Sequence, residues 1–494
     1  MTDTRTAAPP ASPGAGPTYS QPALYIDGAW GPGARGRSID VVDPATEAVL
    51  GTVPMAEPDD VERAIAAAHR AFPAWRDTAV DQRSSILRRA AGLLRERADV
   101  IGMVMTLEQG KPLAEATGEV QRAATLLEWD AEEGSRAYGR VIPSDNAGVL
   151  SVRRFPVGPV AALVPWNFPA GGPMRKIAAA LSAGCTIVIK PSEEVPATAC
   201  ALAQAFHDAG LPAGVLNMVF GTPEDISTQL IADPRIRFVA FTGSVPVGKH
   251  IAGLAATVMK PAMMELGGHA PVIVCADTDP TAAARACIQA KVVNAGQVCT
   301  SPSRFLVHRS IVEQFTAALI EAVEGVTAGN GLRPGVRMGP LASARRREAV
   351  HRLVTDARDR GATVRTGGEL PIGPGFFYPV TVLTDVPADA DILSEEPFGP
   401  LVPILSFDDL DEAIAVANSL PFGLAAYAFT DSAATAERLV RGFEAGILSI
   451  NHCGGSVPQA PSGGLKESGY GKEGGPEGLS GYLVTKRISH RLQP

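Results

Sequence analysis

Along residues 157–266, short β-rich runs of four or five residues, mostly apolar, alternate with helix-compatible segments of about ten residues. The runs are Val160 to Val164, Thr186 to Lys190, Val215 to Val219, Phe238 to Phe241 and Met263 to Leu266. Strands without polar alternation are buried on both faces, which predicts a parallel sheet sandwiched between helices. The helical segments begin near Pro173, Pro196, Pro223 and Val245. A proline suits a first helical turn, where its missing N–H has no partner to lose. Ligands of such sheets bind beyond the carboxyl ends of the strands, so the residues following each run are the ones to inspect for chemistry.

Upstream, Tyr25 opens a strand-like stretch. After Asp59 and Asp60, Val61, Ala64, Ile65, Ala68 and Phe72 mark one helical face, and Ile86, Leu87, Ala90, Leu93 and Leu94 mark another beginning at Gln82. Downstream, Pro271-Val272-Ile273-Val274, a helix from Thr281 and Arg304 to Val307 repeat the alternation and predict a second α/β domain. The link Glu265-Leu266-Gly267-Gly268-His269 suits the floor of a cleft between the two. Residues 24–138 and 158–266 are thus expected to form one domain and 267–465 another. Gly139 to Val157 and Tyr482 to Ser489 are strand-like pieces outside both. Residues 139–157 and 478–494 are expected to form an arm with edges a partner chain would cover. Residues 1–23, with five prolines and two glycines, are expected to be a solvated, disordered tail.

Composition bears on function more than on fold. The 494 residues are 46% hydrophobic and 19% charged, ordinary for a globular chain of two or three domains. A net charge of −8 with dispersed Lys and Arg leaves no basic face, which argues against nucleic acid or a membrane surface as partner. Cys185, Cys200, Cys275, Cys287, Cys299 and Cys453 are too scattered for a disulfide framework, and neither C-x-x-C nor a His-rich cluster offers a metal site. A reducing, cytoplasmic compartment and no metal are the expectation.

Several post-strand segments could carry chemistry. Cys299 lies in Asn294-Ala295-Gly296-Gln297-Val298-Cys299-Thr300, expected at the C-terminal end of a helix among small and polar residues. By itself a cysteine is more often an inert core residue than a nucleophile, and the other five, mostly in apolar runs, read as inert. Glu265 ends a strand beside two glycines, where a carboxylate is either paired or a general base. In Pro165-Trp166-Asn167-Phe168-Pro169 the prolines fix the backbone, so the motif is either a rigid turn or a mount for an amide donor to an oxyanion. Lys190-Pro191-Ser192-Glu193 could bind ribose hydroxyls at the sheet edge or form an ion pair. Phe241-Thr242-Gly243-Ser244-Val245-Pro246-Val247-Gly248 opens a helix, where free N–H groups favour a pyrophosphate. Glu396-Pro397-Phe398-Gly399-Pro400 alone reads as a tight turn.

In this order and spacing, including the 34 positions between Glu265 and Cys299, the motifs resemble the NAD(P)-dependent aldehyde dehydrogenase superfamily from about Tyr25 to the C-terminus. The resemblance implies a Rossmann-like parallel-sheet cofactor domain, a second α/β catalytic domain and a small β oligomerisation arm, in a homodimer or homotetramer. It implies Cys299 as nucleophile, Glu265 as general base, and Asn167 with the Cys299 N–H as oxyanion hole. Lys190 and Glu193 would hold the adenosine ribose, Ser244 and the helix start beside Gly243 the pyrophosphate, and Glu396 the nicotinamide ribose. Phe398 would pack by the nicotinamide, with Trp166, Ser192 and Leu266 along the same path. Lys176 and Glu473 match a secondary proton relay. Glu193 disfavours a 2′-phosphate, so NAD is the expected cofactor, although relatives with this Glu also accept NADP.

Within that superfamily the chain is similar to succinate-semialdehyde and 2-oxoglutarate-semialdehyde dehydrogenases. Arg175 matches an arginine that binds the distal carboxylate of succinate semialdehyde. Val293 stands where many of those enzymes carry a second arginine, which keeps 2-oxoglutarate semialdehyde and other aldehydes open as substrates. Thr300-Ser301 replaces the second cysteine of redox-switched relatives. Glu265 argues against a CoA-acylating enzyme, and the intact Cys299, Glu265 and Asn167 set argues against a non-catalytic binding protein. No histidine is placed by sequence to serve Cys299 in a hydrolase.

Overall fold

The computed structural model describes residues 19–143 and 148–491. Its first sheet is built on five parallel strands in the order Leu216–Met218, Ile187–Lys190, Val160–Leu163, Phe238–Gly243 and Ala262–Leu266. Each coincides with one of the predicted apolar runs, and they are buried along nearly their whole length. Helices Gly171–Ala183, Pro196–Asp208, Pro223–Ala232 and Val245–Thr257 connect them. Leu24–Ile26 and Ala29–Gly31 extend one edge in antiparallel fashion. The long helices Pro58–Asp77, Val80–Glu96, Ala98–Gln109 and Leu113–Glu133 belong to the same hydrophobic core, in which Trp75, Leu87, Phe206 and Phe220 are fully buried.

The second sheet runs Thr363–Thr366, Thr381–Thr384, Leu401–Phe407, Pro302–His308, Ala270–Val274, Ala425–Phe429 and Ile447–Ile450, parallel except at its first pair. Helix Pro280–Val292, capped by Asp279 on the N–H groups of Thr281 and Ala282, joins its two central strands. Arg140–Ile142, Val149–Pro156 and Leu483–His490 pair as a separate antiparallel ribbon, with Tyr138, Val141 and Val149 exposed.

Three features depart from the sequence expectations. Residues 1–18 of the expected tail lie outside the described residues, but Tyr19 is buried and its hydroxyl donates to Glu108 at 2.8 Å. Glu108 in turn accepts the N–H groups of Ala197 and Thr198 at the start of a helix. Residues 19–23 therefore pack onto the body rather than belonging to the tail, because an aromatic with a polar tip finds a distant buried acid that local composition cannot reveal. Second, the helix expected to carry Cys299 at its end stops at Val292. Asn294, Ala295 and Gly296 adopt left-handed φ of 50°, 52° and 75°, which breaks the helix before the cysteine. Third, Gly469–Tyr470 adds an antiparallel strand beside Ala262–Leu266, carrying the chain back over the carboxyl edge of the first sheet.

That crossing depends on a missing side chain. Gly469 has φ 109°, and a Cβ there would lie 1.9 Å from the Met264 carbonyl oxygen. Gly469→Ala is expected to lower stability by more than about 1 kcal/mol. Gly253→Ala, in an open position of helix Val245–Thr257, should raise it by about 0.5–1 kcal/mol. Urea denaturation of both variants checks the opposite signs.

Candidate active site

The carboxyl edge of the first sheet gathers most of the candidate residues. Asn167 follows Val160–Leu163, Ser192 and Glu193 follow the strand ending at Lys190, Ser244 follows the strand ending at Gly243, and Glu265 and Leu266 end Ala262–Leu266. The second sheet presents Cys299 just before Pro302–His308, and Glu396 with Phe398 just before Leu401–Phe407.

Two asparagines tie these halves together. The Asn167 amide donates to the Gln297 carbonyl at 3.1 Å, while the Asn294 amide donates to the Asn167 carbonyl at 2.8 Å and to the Gln297 carbonyl at 3.2 Å. Gln109 donates to the Asn294 side-chain oxygen at 2.6 Å. These bonds hold the left-handed loop, and the absence of a Cβ at Gly296 permits it to press against the Gly399 carbonyl. An Asn amide carries two hydrogens, so with one spent on Gln297 the Asn167 nitrogen retains a second for a ligand oxygen.

Glu265 is buried and the Cys299 thiol half-buried, close enough for each to act on the other's titration. Burial, then the charges of Glu265 and Glu396, push the thiol well above its usual range, with Arg175 opposing. Burial also raises Glu265, against the opposing charges of Lys176 and Arg175. Burial thus raises both acidic groups, and the thiol, pushed furthest, holds little thiolate.

Arg175 donates to the Ser456 hydroxyl at 2.6 Å and lies 3.8 Å from Glu473, and its other terminal nitrogen is buried without a partner. Lys176 bonds Glu473 and donates to the Thr242 hydroxyl at 2.7 Å. Burial pulls Lys176 down to about 7. No signal in its glycine- and proline-rich loop singled out Ser456 beforehand.

The remaining candidates lie at strand ends and at one helix start. Lys190 pairs with Glu193 at 2.7 Å, and Glu193 also accepts the Gly221 N–H at 2.8 Å. The pair is largely buried, not the surface bridge that its spacing allowed, and each carboxylate oxygen keeps a lone pair for a hydroxyl. Ser244 is the N-cap of Val245–Thr257, yet its hydroxyl is not spent on that helix, as an anion site requires. Ser192 accepts the Glu194 N–H, and Leu266 would clash with any side chain at Gly248, so strand end and helix start meet closely. Glu396 accepts the Gly268 N–H at 3.2 Å, and burial raises it to about 7.

Trp166 and Phe398 meet edge to face at 5.7 Å, joining the two domains' motifs. Arg346, hidden in the basic run Arg345-Arg346-Arg347, stacks on Phe398 at 5.7 Å and donates to the Pro397 carbonyl at 2.8 Å. Both ring nitrogens of His269 are spent elsewhere, on the Ser303 hydroxyl at 2.8 Å and the Ile392 carbonyl at 3.0 Å. Among the described residues no group of three metal-ligating side chains occurs.

A family model described as the aldehyde dehydrogenase family matches residues 30–488. The chain belongs to this family. It is 45% identical to 4-(hydroxymethyl)benzenesulfonate dehydrogenase TsaD1 of Comamonas testosteroni, over 95% of this chain and 98% of that protein. Identity to the NADP(+) succinate-semialdehyde dehydrogenase GabD of Escherichia coli is 42%, over 95% and 97%. The crystal structure of succinate-semialdehyde dehydrogenase from Burkholderia pseudomallei superposes with a TM-score of 0.95 at 39% identity, covering 97% of this chain and 99% of that one. This aldehyde dehydrogenase therefore has the expected α/β fold.

Because burial raises the thiol, alkylation of Cys299 by iodoacetamide should speed up about tenfold per pH unit between pH 7 and 9. Glu265→Gln removes a charge that raises the thiol, so it should alkylate faster than wild type at pH 7. Peptide mass spectrometry of timed samples gives both rates.

Proposed function

We propose that this aldehyde dehydrogenase oxidises an ω-carboxylated semialdehyde, such as succinate semialdehyde, to the dicarboxylic acid with reduction of NAD. The observation that carries the substrate class is Arg175: its guanidinium acts on both Cys299 and Glu265, bonds Ser456, and has a buried N–H face unspent. An arginine can hold a carboxylate in two parallel hydrogen bonds, whereas a plain aliphatic aldehyde would leave that face unpaired. The name of the GabD relative supports the same class. A second reading is favoured by Val293, which is exposed where a second arginine would complete the clamp. It admits a bulkier aldehyde with a single remote anion, in keeping with the sulfonate in the name of TsaD1.

The mechanism follows from the chain's own groups. An aldehyde holds its C–H hydrogen until its carbon is tetrahedral and its oxygen anionic, so Cys299 adds first through its minor thiolate fraction, the thiol proton having gone to solvent water. Asn167 and the Cys299 N–H are the donors for the developing alkoxide, and loss of one such donor typically costs ~2.7–4 kcal/mol. When bound, NAD supplies the hydride acceptor. Lys190, Glu193, Gly243, Ser244, Glu396 and Phe398, with Trp166, Ser192 and Leu266 alongside, are the residues to hold it. Glu265 then takes a proton from water, which attacks the acyl carbon on sulfur and releases the acid. Lys176 and Glu473, buried behind, give that proton a route outward.

Glu193 favours NAD over NADP through repulsion of a 2′-phosphate, with NADP use the alternative that GabD represents. The exposed apolar side chains of the ribbon support a homodimer or homotetramer in which the arm joins a neighbour. Six free thiols support a cytoplasmic setting.

Steady-state kcat/KM for succinate semialdehyde, 2-oxoglutarate semialdehyde, a sulfonated benzaldehyde and butanal tests the assignment. Arg175→Ala is expected to lose about 10²-fold or more on the anionic aldehydes and little on butanal. Equal losses on all four would refute the distal-anion role.

A further inference from the structure

Behind the oxyanion amide lies a buried ion pair that the reaction scheme leaves without a role. Lys111 and Glu119 are 0% and 2% exposed, bond each other at 2.5 Å, and sit at the entry and on the inner face of helix Leu113–Glu133. Every other bond of the two head groups goes to one turn. The Lys111 ammonium donates to the Asn167 carbonyl at 3.0 Å and rests 4.6 Å over the Phe168 ring. The remaining Glu119 oxygen accepts the N–H groups of Ala170 at 2.9 Å and Gly171 at 3.0 Å.

We propose that Lys111 and Glu119 are positioning residues for the oxyanion amide, clamping the Asn167–Gly171 turn at both ends; this rests on the role given to Asn167 above. An apolar pair of similar volume would fill the space without the cost of stripping water from two charges. What only the charged pair provides is direction. The Asn167 carbonyl receives Lys111 and Asn294 together, which fixes its peptide plane and therefore the line along which its side chain leaves the backbone. Lys111 also donates its own N–H to Gln109 at 3.1 Å, and Gln109 holds Asn294. One helix entry thus sets the amide and the nucleophile loop relative to each other. A displacement of about 1 Å in such a group costs about 10²-fold in rate.

The test compares the full-length enzyme with Lys111→Met/Glu119→Gln, which leaves no unpaired buried charge, and with Lys111→Arg. Three quantities are measured: the pre-steady-state burst of NADH with succinate semialdehyde, alkylation of Cys299 by iodoacetamide, and the dissociation constant for NAD. In the double variant the burst should slow about 10²-fold. Alkylation needs no oxyanion donor and should stay within about twofold, as should NAD binding, and Lys111→Arg should recover part of the burst. An unchanged burst, or a burst and alkylation that fall together, would overturn the proposal, the latter by showing a general distortion. An Asn167→Ala enzyme whose burst matches wild type would instead remove the role of Asn167 itself.

Discussion

The hydrogen bonds between Asn167, Asn294 and Gln297 are the constraint on which the site depends. They join a turn on the first sheet to a loop on the second. Neither segment is favourable alone. Asn294 and Ala295 hold left-handed backbone, which costs roughly 1–2 kcal/mol per residue for an L side chain. The buried amides that would otherwise lack partners offset that cost by closing on each other.

With geometry fixed, burial does the electrochemical work. Cys299, Glu265 and Glu396 are each pushed toward the neutral form by burial before any pairwise effect. Arg175 and Lys176 oppose the rise only in part. The resting site is therefore a guarded thiol rather than a standing thiolate, and Arg175, which favours its ionisation, is also the residue proposed to hold a substrate's second anion.

Much of this was legible in sequence because buried parallel strands advertise themselves as unbroken apolar runs. The five central strands, and with them the positions of Asn167, Lys190, Ser244 and Glu265, follow from that pattern. Cys299, Glu396 and Phe398 gained meaning only from the order of the motifs, since each segment alone reads equally well as core or turn. What stayed hidden is of another kind. Gly469–Tyr470 is a two-residue strand that begins on a glycine and has no apolar run to mark it, and Tyr19 pairs with an acid far along the chain. Arg346 looks like part of a solvated basic face, and the Lys111–Glu119 pair like ordinary helix charges. In each case the deciding partner is remote in sequence, and periodicity carries no information about it.

The central claim is that the aldehyde carbon becomes bonded to the sulfur of Cys299 and leaves it only through Glu265. Acid-quenched Glu265→Gln, mixed with NAD and succinate semialdehyde and digested for mass spectrometry, measures this directly. The account predicts about one NADH per subunit and the acyl mass increment on the peptide carrying Cys299. NADH formation with no adduct, or an adduct on a different cysteine, would contradict it.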